Sequence, residues 1–361
     1  MNKSELIKLF KDACSINSPS GEELAMAKFI TKSIDNKGWQ VWSDDMGNLY
    51  AYLEVNSKFE TVAFSAHMDT VAGKNDKIEV LFDGKTFKSN GKTILGADNR
   101  IGICSLISLA NIDKSKLKNN VLLFFPTHEE SGKMGSSLFK FEKSKIKYFF
   151  NVDGGDAPGV FVYKSLGFHT FRIHVHGVSA HAAKNYEDGK NALLAASELV
   201  TKLPMGRNLD EGWTFNIGSI NGGEKTNIVC DLVDLKGELR AFDETKMKEL
   251  ELLVKDTAAE IDKKFGVSTK VDFTDGMCPP LLGKIDSAIT KVCEDASLKL
   301  GFESKFQEAF YSSDANNYSG MGFETIVVSR GGRNPHSKNE EVELIDIEKT
   351  CSLVQELAVL S

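Results

Sequence analysis

VLLFFPTHEESGKMG, residues 121–135, sets an apolar run directly before two neighbouring carboxylates. Val121–Phe125 has strand length and no polar residue. A run of that kind is buried on both faces, as in a parallel sheet covered by helices. Glu129 and Glu130 follow at once, and open α/β sheets gather their ligands just past the carboxyl ends of strands. Neighbours in extended chain point to opposite sides, so one of the pair can hold a metal while the other handles protons. Alone, the stretch reads first as a solvated acidic loop. Recurrence of the same arrangement along the chain changes that reading.

TVAFSA (61–66) runs into His67, YFFNV (148–152) into Asp153, and ETIVVS (324–329) leads to His336. Asp98 stands where the loop 95–99 enters a helix expected over 100–111, a position that favours a carboxylate. Each residue alone is an ordinary structural histidine or helix cap. Strand ends of one sheet share an edge, however, so the set can converge. Two imidazoles and three or four carboxylates, with no thiolate, suit zinc, manganese or cobalt in a catalytic site; structural zinc prefers cysteine. Two ions roughly 3.5–4 Å apart would explain five ligands, one carboxylate bridging them, with a further carboxylate to spare. Asp69, two residues from His67 and on the same side of an extended chain, is placed to orient that imidazole.

The pattern changes over residues 167–273. There the order is strand (168–175), helix (191–203), strand (213–220), strand (229–242), helix (244–265), strand (267–273), the βαββαβ order of ferredoxin-like domains. Strands 168–175 and 229–242 alternate polar and apolar residues, as in a sheet with one covered face. After Pro279-Pro280 the first pattern resumes. The expected fold is therefore α/β: a mixed-sheet catalytic domain from 1–165 and 275–361, interrupted by an inserted α+β lid and dimerisation domain over 166–274. A second helix is expected from Glu22 to Lys37, with Ser18, Ser20 and Gly21 ahead of it for capping, and Tyr311–Asn316 is a polar stretch.

The 361 residues are 41% hydrophobic and 26% charged, an ordinary globular composition. A net charge of −7 argues against nucleic-acid or anionic-membrane partners. Six scattered cysteines without a CxxC pair read as reduced thiols. The amphipathic N-terminus is unlike a signal peptide, and no apolar span is long enough for a bilayer. The expected location is cytoplasmic.

SAHMDTV (65–71), LGADNRIG (95–102), THEESGKMGS (127–136), NVDGG (151–155), HGVSAHA (176–182) and NPHSKNE (334–340) stand in the order seen in a known group. The chain resembles the aminoacylase, peptidase T and glutamate carboxypeptidase group of di-zinc exopeptidases, most of all peptidase T and its relatives. The resemblance implies two divalent ions, zinc foremost. His67 and Asp153 would hold one ion and Glu130 and His336 the other, with Asp98 between them and Asp69 behind His67. Glu129 would be the general base, and the Asp98–Asn99 peptide would be cis. Asn99 and Arg100 replace the aspartate and lysine of many relatives, read as tolerated variation. From composition His181 is a surface histidine; the resemblance makes it a lid residue that stabilises the oxyanion, commonly across a dimer. Asn227 and Arg240 match positions that take the substrate's carboxylate; the competing reading of Arg240 is an ion pair with Asp243 or Glu244. His128, His169, His174 and His176 read as structural. The expected function is release of the N-terminal residue from short peptides, tripeptides above all, by a homodimer paired through the inserted domain. The alternative on the same scaffold is an N-acyl-amino-acid deacylase or carboxypeptidase-type amidohydrolase.

Overall fold

The computed structural model describes residues 1–35, 37–142, 145–273 and 276–361. In chain order the first elements are α1 (Lys3–Cys14), α2 (Leu24–Ile34), β1 (Gln40–Ser43), β2 (Leu49–Leu53), β3 (Thr61–Ser65), β4 (Val80–Phe82), β5 (Thr86–Ser89), α3 (Ala97–Leu109), β6 (Asn120–Phe125), α4 (Met134–Ser137), β7 (Ile146–Gly154) and β8 (Val160–Ser165). There follow β9 (Gly167–His176), α5 (Ala192–Lys202), β10 (Gly206–Asn208), β11 (Trp213–Gly222), β12 (Leu232–Ala241), α6 (Glu244–Phe265), β13 (Ser268–Asp272) and β14 (Met277–Cys278). The chain ends with β15 (Leu281–Leu282), α7 (Ala288–Lys299), β16 (Lys305–Ala309), α8 (Asp314–Gly320), β17 (Thr325–Ser329), β18 (Glu341–Glu343) and α9 (Leu344–Leu360).

Two compact units result, one from Met1–Lys164, Leu281–Ala309 and Ser313–Ser361, the other from Ser165–Pro280 and Phe310–Ser312. The expected boundary at 274/275, and Asn36 within the expected second helix, lie outside the described residues.

The first unit is built on a mixed sheet of order β1-β2-β6-β3-β7-β17-β8-β15, with β16 beside β8. Its centre, β6-β3-β7-β17, is parallel throughout. Every residue of β3, β6 and β17 is buried, so apolar side chains fill both faces. Val62, Phe64, Val121, Leu123, Phe150, Val152, Ile326 and Val328 pack with α2, α3, α7 and α9 on one side. Ala63, Leu122, Phe124 and Phe149 meet Phe139 and Tyr318 on the other. Alternation within each strand thus feeds two cores, as period-two geometry demands. The four parallel strands end on one edge.

The second unit is an antiparallel sheet of order β10-β11-β12-β9-β13, with β14 beside β9. Phe171, Ile173, Val175, Val233, Leu235 and Leu239 face Ala195, Leu199, Leu250, Val254 and Ile261 of α5 and α6. The strand order is that of a ferredoxin-like fold with two short strands added.

Two local features stand apart from the sequence reading. The polar 311–316 stretch, to which the sequence assigns no element, runs into a helix: Asp314 opens α8, whose buried positions include Asp314, Asn316 and Asn317, so a hydrophobic pattern misses it. Ser18 and Ser20 do not cap α2. Their hydroxyls donate to Met68 O (2.8 Å) and Asp69 Oδ2 (2.6 Å), because α2 starts later, at Leu24, after a Glu23 cap without a side-chain bond.

Candidate metal centre

The edge where β3, β6, β7 and β17 end collects the strand-end residues. His67 leaves β3 with its ring buried. Its Nδ1 lies 3.0 Å from Asp69 O and 3.4 Å from Asp69 Oδ1. That leaves Nε2 facing Asp98 Oδ1 at 3.2 Å and Asp153 Oδ1 at 3.4 Å. On the other side, His336 Nε2 lies 2.9 Å from Glu130 Oε1 and 3.4 Å from Asp98 Oδ2. Asp98 therefore gives one oxygen to each histidine, and each histidine has its own second carboxylate. Ligand atoms of His67, Asp98 and Glu130 all lie within 4.8 Å of one another.

Asp98 reaches this point because α3 begins irregularly. Gly96 adopts a left-handed φ of 77°, Asp98 and Asn99 are non-helical, and the peptide between them is cis, as the resemblance implies. Glu340 fixes the turn: its carboxylate accepts from the Leu95, Gly96 and Asp98 amides at 2.9, 2.7 and 3.0 Å. Asn99 donates to Asp153 Oδ1 and Val152 O, both at 2.9 Å. Asp153 is the penultimate residue of β7 rather than a residue beyond it.

Asp69 ties the two sides together. Besides His67 it accepts the Glu129 amide on Oδ1 and the Glu130 amide on Oδ2, each at 3.0 Å. Burial opposes its charge, but the bonds from His67, Ser20 and the Glu129 amide prevail and hold its pKa at about 2. Glu129 is buried and pairs with Lys133 Nζ at 3.0 Å. Burial pushes its carboxyl up to about 8, against the pull of Lys133 and His67. Burial also opposes the charge on Asp98; Arg330 first, then His336 and His67, hold that carboxyl well below the usual carboxylate range.

Sequence reading missed four charged residues here: Lys133, Asp314, Arg330 and Glu340. Asp314 is wholly buried, and neither of its oxygens completes a hydrogen bond, although the Ser136 hydroxyl acts on it. Burial raises it to about 7. Arg330 Nη2 lies 2.7 Å from Asp98 Oδ1. Lys133 and Glu340 fall inside quoted motifs, which was the available signal; Arg330 has only its place after an apolar run, and Asp314 only its place in a polar stretch.

In the second unit, His181 and Asn227 are exposed and lie on adjoining segments, the Ala182 amide donating to Asn227 O at 3.0 Å. The Ala183 amide donates to His181 Nδ1 at 3.2 Å. Arg240 pairs with neither Asp243 nor Glu244. It forks onto Glu238 at 2.8 and 3.0 Å and lies over the Phe168 ring, because a residue two along the same strand shares its face. His169 and His174 pair with Glu251 and Asp234, and His128 sits 3.5 Å from Glu23.

The donor set fits divalent ions. Three carboxylates and two imidazoles crowd together with both Nε2 atoms directed inward, and His67 Nδ1 is held from behind, the arrangement that fixes a ligating tautomer.

Residues 163–265 match the family model for a peptidase dimerisation domain, and residues 48–195 that for peptidase family M28. The chain is 29% identical to uncharacterized protein YqjE of Bacillus subtilis strain 168, over 98% of this chain and 97% of that one. It is 25% identical to peptidase T of Caldanaerobacter subterraneus, over 97% and 94%. The crystal structure of aminopeptidase PepT from Bacillus cereus superposes with a TM-score of 0.91 at 27% identity, covering 100% of this chain and 99% of that one.

Proposed function

We propose that this chain, which belongs to the metallopeptidase family of peptidase T, removes the N-terminal residue from short peptides, tripeptides in particular, in the cytoplasm. The observation that carries the reading is the division of Asp98 between two histidines, each with its own carboxylate. His67 and Asp153 would hold one ion, His336 and Glu130 the other, and Asp98 both. Zinc is the first choice, with cobalt and manganese suited to the same donors. When bound, the ions supply Lewis acidity toward the scissile carbonyl and the attacking water.

The protein's own residues do the rest. Glu129 takes the proton of the attacking water and delivers it to the leaving amine. Its burial favours the protonated form, which makes the second transfer accessible, while Lys133 favours the charged form that begins the cycle. Asp69 orients His67 and, through two amides, fixes Glu129 and Glu130 relative to it. We assign His181 to the oxyanion, supplied by the partner of a homodimer formed through the second unit. We assign Asn227 and Arg240 to the substrate's carboxylate, with Arg240 exchanging Glu238 for it.

The test is a matched panel: one tripeptide free at both ends, its N-acetylated form and its C-amidated form, with added zinc, cobalt or manganese and after chelation. Metal-dependent cleavage of peptides with a free amine alone is expected, slowed by C-amidation. Cleavage of the acetylated peptide instead would establish the deacylase or carboxypeptidase chemistry. Glu129→Ala should lower the rate by about 10²–10⁴ while the protein still takes up its ions.

A further inference from the structure

Arg330 follows β17 directly and is buried at the edge where the ligands meet. Its backbone is fixed on both sides: the amide donates to Gly154 O at 2.9 Å, and the carbonyl accepts from Thr350 Oγ1 at 3.1 Å. The guanidinium turns inward. Nη2 lies 2.7 Å from Asp98 Oδ1, Nε lies 3.9 Å from Asp153 Oδ1, and Nη1 donates to Gly331 O at 3.1 Å. Nε has no hydrogen-bond partner although it is buried. Asp98 Oδ1 is thus shared between Arg330 and His67, and Arg330 is the nearer by half an ångström.

A guanidinium stays charged under all working conditions. Set between Asp98 and Asp153, it offsets their mutual repulsion before any ion arrives. Once an ion binds the same two carboxylates, that positive charge opposes it and takes up one of the oxygens it would use. We infer that Arg330 is a built-in cation of the metal centre, which keeps Asp98 and Asp153 assembled without metal and weakens the hold on the ion they share with His67. This rests on the reading of Asp98 and Asp153 as metal ligands. It makes Arg330 a positioning residue that sets metal affinity.

The experiment titrates Mn²⁺ into the chelated full-length protein by calorimetry and melts the chelated protein, for wild type, Arg330→Met and Arg330→Lys. Arg330→Met should bind one of two ions on the order of tenfold to a hundredfold more tightly. Its chelated form should melt several degrees lower. Arg330→Lys, which keeps the charge, should stay near wild type in both. A chelated Arg330→Met that is unfolded beside a folded Arg330→Lys also supports the inference. Wild-type or weaker affinity in Arg330→Met overturns it, and so does an Arg330→Lys that shifts or unfolds like Arg330→Met, because shape rather than charge would then be the cause. A wild type that binds two ions with either of those variant results fails this inference alone. A wild type that takes up no divalent ion fails the metal reading and this inference together.

Discussion

Arg100 heads the fully buried side chains by volume. Its guanidinium donates to Ala13 O, Ile16 O, Met68 O and Ser18 Oγ. Four acceptors from the end of α1, the loop after it and the His67–Asp69 segment are joined by one cation. Arg100→Met would remove one donor from each of them, at a cost of about 3 kcal/mol or more, read as a lower urea midpoint. Lysine, with a single ammonium, should lose less. Glu340 plays the anionic counterpart by gathering three amides ahead of the Asp98 turn. Glu340→Gln should cost roughly 2–4 kcal/mol and weaken metal uptake in a chelator competition. The legible residues are those that a strand end announces: His67, Glu129, Glu130, Asp153 and His336 each sit by an apolar run. Arg100 and Arg330 were not legible in these roles, because a buried arginine is defined by acceptors brought from distant segments. Arg100 read as mere variation in a motif.

Among the elements, α4 shows how closely a helix can be pressed to a site. A Cβ on Gly135 would lie 2.2 Å from Thr127 O and 2.5 Å from Asn48 Oδ1. Gly135→Ala must therefore displace the turn that carries Glu129 and Glu130. It should cost on the order of 2–4 kcal/mol and lower kcat more than it raises KM in peptide hydrolysis. The long elements were legible from periodicity, the parallel strands above all, because burial on both faces leaves an unbroken apolar run. Helix α8 was not, since its inward face carries Asp314, Asn316 and Asn317. The short strands β10, β14, β15 and β16 were missed as well, two to five residues each; such lengths give alternation no room to show.

At the level of the whole molecule, the switch from unbroken apolar runs to alternating strands was visible near residue 167, and the α/β class with a ferredoxin-like second unit follows from it. Among the described residues no helix is long and apolar enough to cross a membrane, and the six cysteines are free thiols. The second unit presents Leu193 and Leu194 on α5 to solvent. If the chain pairs through this unit, light scattering should give twice the 39.7 kDa chain mass, and Leu194→Asp should shift the particle toward the monomer. Chelation should lower the melting temperature of the wild type, and readdition of zinc or manganese should restore it, because ions that bind only the folded ligand set stabilise that state.

The residues of the candidate site lie on both sides of the second unit in the chain, His67 to Asp153 ahead of it and Arg330, His336 and Glu340 behind it. During synthesis the first group leaves the ribosome on the order of tens of seconds before the second, at about 5–20 residues per second. A nascent or prematurely terminated chain thus lacks His336, which is assigned above to one of the two ions, and Glu340, the anchor of the Asp98 turn. With the ligands assigned as proposed, hydrolysis would begin only once almost all of this sequence has been made, and unfinished copies would leave the peptides around them intact.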